Sequence, residues 1–404
     1  MEIRLRPGVS FHDGTPVNAS AVVKILDTAL PQFMGAAFSD IAYLTAIAES
    51  RIEIGFKQTS PFLQEALEVQ IQAPDRPSVG TGPFQTAEGS GNELHANPQY
   101  YLGRPTIDRI VVTNYPSVRA AWADLLRDRI DLLYEVSNDA LDSLSGATTV
   151  SVSSFTRPYQ YVIAFNQRSP TLRSPQIRRA LNAAIDRAAL VRDGLNGRGA
   201  PSTGPISPQH WALTPDLPRF DFAPGDAARE LASAKSGRPP VVLRFKCLVP
   251  ASYERLGLLL KRQLEMVGVE MEIEEVSPDR LVQAFSDSSY EAVFLDMVSG
   301  PSLFRVYQLW HSSGSFNPGS LGGGSLDGPL DRIRYANSDA EYRLAVAAFQ
   351  RAVVDNPPGI FLAWSERTRA VSRRFDVPVE RGRDILTTLR LWRPSNDLQY
   401  VDRN

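Results

Sequence analysis

The sequence predicts an α/β protein with more than one domain, and three observations support that prediction. The chain has 404 residues, of which 43% are hydrophobic and 22% charged, enough for two or three domains that each bury a core. Its first hundred residues are dominated by strand patterns, as in Arg51–Phe56, where polar and apolar residues alternate. After residue 107, strands alternate with amphipathic helices, which is typical of α/β packing.

Turn and cap residues define the N-terminal elements. Strands 2–6 and 9–12 are predicted to form a hairpin, because the Pro7-Gly8 pair between them is a turn sequence in which glycine supplies a positive φ. Asn18 is expected to cap a helix with one apolar face, and Pro31 to end it. Ser60 and the proline after it begin a short second helix.

The α/β pattern starts with residues 107–134. Strand 110–113, a helix capped by Ser117 and strand 130–134 are predicted to form a βαβ unit. A second α/β region opens with a helix at Ser174 and ends with a helix over 338–355 and a strand over 359–363. Between them, strands are predicted at 241–249, 269–276 and 291–297, and a helix at 252–267 that Gly268 ends.

Composition and motifs exclude several classes of function. A formal net charge of −2 without a basic stripe predicts no nucleic-acid partner. The single cysteine, Cys247, lies in an apolar run and is expected to be a buried, inert thiol. The four histidines show no metal-type spacing, and no nucleophile motif is present, so neither a metal, a cofactor nor an enzymatic activity is predicted. No window reaches the roughly 18 apolar residues of a membrane span, and residues 1–30 lack a signal-peptide pattern.

Several motifs resemble one protein family. The string Arg4-Leu-Arg-Pro-Gly-Val-Ser-Phe-His-Asp-Gly-Thr-Pro16 is similar to the signature of the family 5 extracellular solute-binding proteins, the dipeptide, oligopeptide and nickel receptors of bacterial ABC importers. The Gly-Thr-Gly-Pro-Phe turn at 80–84, the Asn-Pro loop at 97–101 and the Arg-Arg-Ala-Leu helix at 177–186 match further family text. These matches follow one another in the family's order and cover most of the chain.

The resemblance implies a two-lobe periplasmic binding protein fold of the class II type, with an extra β-rich subdomain in lobe one. Lobe one is expected over 1–160, with its β-rich part at 1–105 and an α/β part at 106–160. Lobe two is expected over 161–362, and residues 363–404 return to lobe one. The family's signal peptide and first strands would lie upstream of Met1, and the location would be periplasmic or in the cell envelope.

The function that the resemblance implies is capture of a small polar ligand, peptide-like or other, by hinge closure between the lobes. The loaded receptor, expected to be a monomer, would deliver its ligand to the inner-membrane permease subunits of an ABC importer. The same fold also serves as the ligand-sensing domain of some transcriptional regulators, which is the alternative. Sequence upstream of Met1 would separate the two, showing a signal peptide or a helix-turn-helix pattern.

Three candidate ligand-binding residues lie near the first predicted crossing between the lobes. Tyr159 and Tyr161 are two apart on a strand and therefore face the same side. Asn166 is the polar group at the start of lobe two. Core packing is the alternative explanation for each tyrosine.

Four further candidates follow. Asp296 stands one residue before the position, Met297, at which peptide-binding members carry an aspartate that pairs with the peptide α-ammonium group. Because a shift of one residue on a strand reverses the face, Asp296 does not inherit that role. Arg305 and Trp310 are candidates for an anionic or sugar-like ligand, with a surface arginine and a core tryptophan as the alternative. Trp364 lies near the predicted return to lobe one.

Overall fold

The computed structural model describes residues 1–395 except 77, 88, 218, 235–242, 301 and 318–323. The elements of its first third are β1 (Glu2–Arg4), α1 (Ala19–Met34), β2 (Ile41–Ala48), β3 (Arg51–Phe56), α2 (Phe62–Ala66), β4 (Phe84–Thr86), β5 (Glu93–Ala96), β6 (Arg109–Val111), α3 (Val118–Leu126) and β7 (Leu132–Leu133). A 3-10 turn, Gly35–Asp40, follows α1.

The rest of the chain contains longer strands and helices. These elements are α4 (Asn138–Ser145), β8 (Val150–Phe165), α5 (Pro175–Ala183), α6 (Arg187–Ala189), β9 (Gly199–Pro201), α7 (Pro224–Ala234), β10 (Leu243–Pro250), α8 (Glu254–Met266), β11 (Val269–Val276), α9 (Pro278–Asp287), β12 (Ala292–Val298), α10 (Leu303–Trp310), α11 (Asp327–Arg334), α12 (Asp339–Asp355), β13 (Gly359–Ser372), β14 (Phe375–Asp376) and β15 (Arg393–Pro394).

Two long antiparallel strands, β8 and β13, organise the largest sheet. Its order is β11-β10-β12-β8-β13-β7, and β9 adds to β13. The pairing of β13 with β8 runs from Gly359 opposite Ala164 to Ser372 opposite Val150, with register shifts between Phe361 and Ala363 and between Trp364 and Glu366. One end of the strand pair carries β12 and β9, and the other end carries β7. The two strands therefore connect two parts of the molecule.

The parallel part of the sheet forms as its sequence predicts. Strand β10 pairs in parallel with β11 and with β12, and helices α8 and α9 make the two crossovers. Gly268 ends the first crossover helix with a φ of 76°, a conformation that favours glycine. Cys247 in β10 is buried, and burial raises the pKa of its thiol, which fits the predicted inert cysteine.

Two N-terminal predictions are wrong. Strand β1 pairs with β3, with Glu2 opposite Glu53, and residues 9–12 form only an isolated bridge between Ser10 and Pro16, so the predicted hairpin is absent. Pro31 lies inside α1, which continues to Met34. The helix ends instead at Gly35, whose N–H donates to the carbonyl of Pro31.

The predicted βαβ unit is also wrong. The Ser117 cap is present, since the hydroxyl of Ser117 accepts a hydrogen bond from the N–H of Ala120 at 3.2 Å. However, β6 joins β4 and β5 in a separate sheet, whereas β7 joins β13. Local sequence specifies the two strands and the helix between them, but not the sheet to which each strand belongs.

The N-terminal segment packs against helices from the second half of the chain. Leu30 and Met34 of α1 lie in the same hydrophobic core as Phe304 and Trp310 of α10. The amide of Gln308 donates to the carbonyl of Met34 at 2.6 Å. These contacts show that α1 and α10 share one core. The lobe boundaries themselves remain a prediction.

Helix α1 and the turn after it, Ala19–Asp40, form the only helical stretch among the described residues that is long and apolar enough by composition to cross a membrane. Its buried residues Val22, Leu26 and Leu30 pack in the core. Core helices share this composition, and in this structure the segment is a core element.

A buried carboxyl group joins α2 to the first turn of α10. Glu65 Oε2 accepts a hydrogen bond from the N–H of Phe304 at 2.8 Å, at the end of α10 where backbone donors are free. Burial, with a smaller contribution from the nearby Glu68, raises the pKa of the Glu65 carboxyl to about 7, although hydrogen bonds from Phe304 and Ser302 oppose the increase. The folded protein therefore retains this proton at a pH where an unfolded chain releases it.

This raised pKa predicts that stability falls as pH rises. Between about pH 4.5 and 7 the folded state binds the Glu65 proton more tightly than the unfolded state, so the free energy of unfolding decreases across that window. The free energy of unfolding of the wild-type chain, measured by urea unfolding, should fall by about 2 kcal/mol between pH 5 and pH 8. That of Glu65→Gln should not show this decrease. The variant Glu230→Gln is the control, since Glu230 is an exposed glutamate of α7 away from Glu65 and should leave the slope unchanged. Parallel pH profiles for wild type and Glu65→Gln would contradict the assignment.

Candidate functional site

A cleft of about 200 Å³ lies beside the point where β8 and β13 pass from one part of the sheet to the other. We call it the polar cleft, and its lining residues are Glu135, Val136, Ser137, Tyr161, Gly194, Leu195, Arg198, Glu366, Arg367 and Thr368. Residues 135–137 and 366–368 come from the β7 side of the crossing, and the others from the β12 side. A molecule bound here would contact both sides at once.

The alternation of strand β8 directs side chains toward this cleft. Tyr161 lies opposite Asp296 of β12 and Ala363 of β13. Arg157 and Tyr159 occupy the same face of the strand, four and two residues before Tyr161. The Arg157 guanidinium lies 3.6 Å from the centre of the Tyr159 ring, which holds the two side chains together.

The lining carries charges of both signs. Arg367, in β13, forms an ion pair with Glu135, which follows β7. This ion pair links the two chain segments that form the β7 side of the cleft. Arg198 donates a hydrogen bond to the carbonyl of Val136 at 3.0 Å, which links the two sides of the crossing. With Glu366, the lining therefore contains two arginines and two glutamates.

Asp296 lies next to Tyr161 and is nearly buried, with 12% of its side chain exposed. Its Oδ2 accepts a hydrogen bond from the hydroxyl of Tyr253 at 3.0 Å and lies 3.7 Å from Arg157 Nη1. Its Oδ1 is buried and accepts no hydrogen bond from the residues that the structure describes. Burial raises the pKa of Asp296, while Tyr253 and the arginines Arg157 and Arg367 oppose the increase.

Aromatic rings form a wall beside this carboxyl group. Tyr253 stacks on Phe294 with ring centres 4.8 Å apart, and Tyr161 lies 5.6 Å from Tyr253. Burial and the neighbouring Asp296 raise the pKa of both tyrosines, so their hydroxyls stay protonated and able to donate. The region combines apolar surface with fixed polar groups, as ligand pockets do.

Of the seven residues predicted from sequence, the structure brings together Tyr159, Tyr161 and Asp296. Tyr161 lines the polar cleft itself. Tyr159 is half-buried under Arg157, and Arg157 in turn contacts Asp296. Their roles in binding remain a prediction.

Asn166 and Trp310 lie elsewhere. The Asn166 amide, directly after the C-terminal end of β8, donates to the carbonyls of Ser288 and Tyr290 at 3.3 and 2.7 Å, and Asn166 is not among the residues that line the cleft. Trp310 is fully buried and meets Phe361 edge to face at 5.4 Å. These contacts give both residues structural roles.

Arg305 and Trp364 also lie outside the polar cleft. The Arg305 guanidinium is 4.1 Å from the centre of the Phe33 ring and 5.7 Å from that of Phe316, and burial lowers its pKa. Trp364 pairs with Gln160, the residue next to Tyr161, and so points to the other face of the sheet.

Five charged residues at or beside the polar cleft are absent from the sequence prediction: Glu135, Arg157, Arg198, Glu366 and Arg367. A local signal existed for Arg157, because it shares the period-two face of Tyr159 and Tyr161. The other four come from separate segments that only tertiary pairing brings together. Within the described part of the chain, no group of three or more histidine, cysteine, aspartate or glutamate residues is arranged to hold a metal ion.

Comparison with known proteins identifies the family. Residues 1–317 match the family described as bacterial extracellular solute-binding proteins, family 5 Middle. The oligopeptide-binding protein AppA of Bacillus subtilis is 25% identical over 383 residues, which cover 84% of this chain and 68% of that protein. A probable di/tripeptide-binding protein of Pseudomonas aeruginosa is 22% identical over 54% of this chain and 42% of its own length.

Solved structures share the fold. The Brucella suis protein NikA in complex with Fe(III)-EDTA superposes with a TM-score of 0.84 at 16% identity, covering 98% of this chain and 88% of that chain. The Bacillus subtilis AppA structure with a nonapeptide gives a TM-score of 0.79 at 18% identity, covering 98% and 87%. These neighbours confirm the predicted two-lobe α/β fold, and the curated relatives support a binding protein of an ABC importer but not the regulator alternative. The chain belongs to family 5 of the bacterial extracellular solute-binding proteins.

Proposed function

We propose that this protein binds a small zwitterionic, peptide-like solute in the polar cleft and delivers it to the permease of an ABC importer. The observation that supports this most is the origin of the lining, which comes from both sides of the β8 and β13 crossing. The peptide-binding names of the relatives from Bacillus subtilis and Pseudomonas aeruginosa agree with such a solute.

Ligand binding would act by shifting an equilibrium between open and closed forms. A solute that touches both sides of the crossing stabilises the closed form, because only that form offers all contacts at once. The register shifts at Phe361/Ala363 and Trp364/Glu366 interrupt regular pairing in β13 and are the proposed hinge positions. No covalent step is involved in this mechanism.

The charges of the site suggest how a zwitterion would be oriented. Although the family alignment gives the ammonium-binding position to Met297, Asp296 is the residue that lies opposite Tyr161, beside the cleft. Its buried Oδ1, which accepts no hydrogen bond from the described residues, would accept one from a cationic ammonium group that reaches it. Arg198 and Arg367 would receive the anionic group. The rings of Tyr161 and Tyr253 would cover the apolar part of the solute.

The location and partners follow from the family. Members of this extracellular family act outside the cytoplasm, and we propose a periplasmic or cell-envelope location with the inner-membrane permease as partner. We also propose that the protein acts as a monomer, with lobe one over residues 1–160 and 363–404 and lobe two over 161–362, except that residues 19–66, which share a core with α10, would move with lobe two.

The decisive experiment is calorimetric titration with free, N-acetylated and C-amidated di- and tripeptides. Asp296→Asn should weaken binding of peptides with a free amine by roughly tenfold to a hundredfold, the value of a hydrogen bond to a charged group. N-acetylated peptides should bind weakly to both proteins. Asp287→Asn, at an exposed aspartate at the end of α9, is the matched control and should bind like wild type. Equal affinity for free and acetylated peptides would overturn the role of Asp296, and no binding by any peptide would overturn the solute class.

A further inference from the structure

A second cavity of about 190 Å³ lies behind Trp364, and we call it the Trp364 pocket. Its described lining comes from the loop between Pro201 and Arg219, from Gln350, Val353 and Val354 of α12, and from Trp364 of β13. All lie between residues 201 and 364, whereas the polar cleft also uses residues 135–137 and 366–368. Trp364 pairs with Gln160 and Tyr161 faces the polar cleft, so the two sites lie on opposite faces of the sheet.

The walls of the Trp364 pocket are held in place before any ligand binds. Gln350 exchanges two hydrogen bonds of 3.0 Å with the backbone of Thr214, which ties the loop to α12. Strand β9 pairs with β13 beside the tryptophan, with Ala200 opposite Trp364. Four prolines in the lining restrict the backbone of the same loop. Little conformational entropy is therefore lost when a ligand enters.

The chemistry of the lining indicates one class of ligand. The nearly buried indole of Trp364 and the side chains of Ile206, Leu213 and Val353 offer an apolar surface. Arg219 is the only charged residue in this described lining, and its hydrogen bond in the described part of the chain goes to the carbonyl of Pro215. Among the described residues this exposed guanidinium has no carboxylate partner, and beside the apolar side chains of the pocket it suits a carboxylate with an apolar body.

The volume sets the size of that ligand. A molecule of water occupies about 30 Å³ of liquid, so the cavity has space for roughly six waters or a molecule of about six to ten heavy atoms. A short-chain or monocyclic aromatic monocarboxylate has this size.

We propose that the Trp364 pocket is an accessory binding site for a small apolar monocarboxylate, separate from the polar cleft. Its carboxylate pairs with Arg219, and its apolar body packs on Trp364. The ligand need not touch residues of the β7 side, so binding does not require closure of the cleft. This site is independent of the function proposed above.

The test is a titration of the full chain with benzoate and with its neutral isostere benzamide, followed by tryptophan fluorescence and ligand-observed NMR. Benzoate should change the fluorescence saturably, and benzamide should bind at least about tenfold more weakly because it lacks the charge. Trp364→Phe should remove the fluorescence change while NMR still detects binding. Arg219→Met should weaken benzoate at least about tenfold and leave benzamide unchanged.

Two further variants keep the proposal falsifiable. Arg262→Met, at an exposed arginine of α8, is the matched control and should bind benzoate like wild type. Thr203→Phe places a ring in the pocket and should abolish binding of both probes. Absence of saturable benzoate binding, equal affinity for benzamide, or unchanged binding by Arg219→Met would each overturn the proposal. Competition between benzoate and a cleft-bound peptide would overturn the separation of the two sites.

Discussion

Replacing Arg178 by alanine is expected to lower the free energy of unfolding by about 4 kcal/mol, because three carbonyl groups, two of them on buried residues, lose their donor. Arg178 is 1% exposed. Its Nε donates to the carbonyl of Pro357 at 2.8 Å, and its Nη1 donates to those of Leu172 and Arg173 at 2.6 and 2.8 Å. Burial lowers the pKa of Arg178 to about 10, so the guanidinium remains charged at neutral pH. Urea unfolding followed by circular dichroism measures the loss.

The adjacent arginine supplies the control for this prediction. Arg179 is exposed and donates only to the carbonyl of Asp355 among the described residues, at 2.7 Å. Arg179→Ala should cost less than about 1 kcal/mol, since water replaces that donor. Arg178→Lys should restore little of the lost stability, because a lysine ammonium group lacks the planar, forked geometry with which the guanidinium reaches several carbonyls at once. Equal losses for the two alanine variants would show that the buried hydrogen bonds are not the cause.

Elements specified by local sequence are predicted well. Asn18 and Ser117 cap their helices, and their side chains accept hydrogen bonds from N–H groups three residues ahead. The buried strands and crossover helices of residues 243–298 also follow from periodicity and the stop at Gly268. In each case the determining residues lie within a few positions of the element.

The failed predictions concern pairing between distant segments. The turn at Pro7-Gly8 forms, with a φ of 70° at Gly8, yet its first strand pairs with residues 51–53. Turn chemistry predicted the reversal of the chain but could not specify the partner strand. Likewise, α1 continues past Pro31 because tertiary packing of its apolar face stabilises the helix. The expectation that proline ends a helix considers only the neighbouring residues and does not include this packing.

The same distinction applies to the candidate site. Strand periodicity predicts Tyr159 and Tyr161, the family alignment points to Asp296, and the structure places the three near one another. The pairing of Arg367 with Glu135 joins residues 232 positions apart, so no local pattern connects them. Binding sites assembled across a hinge draw on segments that are remote in sequence, and their charged residues are therefore the hardest to predict.

A buried ion pair between the N-terminal segment and α11 should be the second large contributor to stability. Arg334 Nε donates to Asp40 Oδ2 at 2.7 Å, and both side chains are 6% exposed. Arg334 also donates to the hydroxyl of Tyr307 at 2.6 Å. Arg334→Met leaves the Asp40 carboxylate buried without its charge partner, and we expect a loss of roughly 3–5 kcal/mol in the free energy of unfolding. The exposed Arg332, on the same helix, supplies the control variant Arg332→Met.

A double-mutant cycle that combines Arg334→Met with Asp40→Leu separates the energy of the Arg334–Asp40 ion pair from the effects of each substitution on other contacts. If the ion pair dominates, the double variant should be more stable than Arg334→Met alone, because no uncompensated charge remains buried. The cycle also tests whether the N-terminal segment unfolds together with helices α10 and α11. Since α1 and α10 share one core, breaking the pair should lower a single cooperative transition. A separate early transition in Arg334→Met would show instead that residues 19–66 form an independent unit held to the remainder mainly by this ion pair.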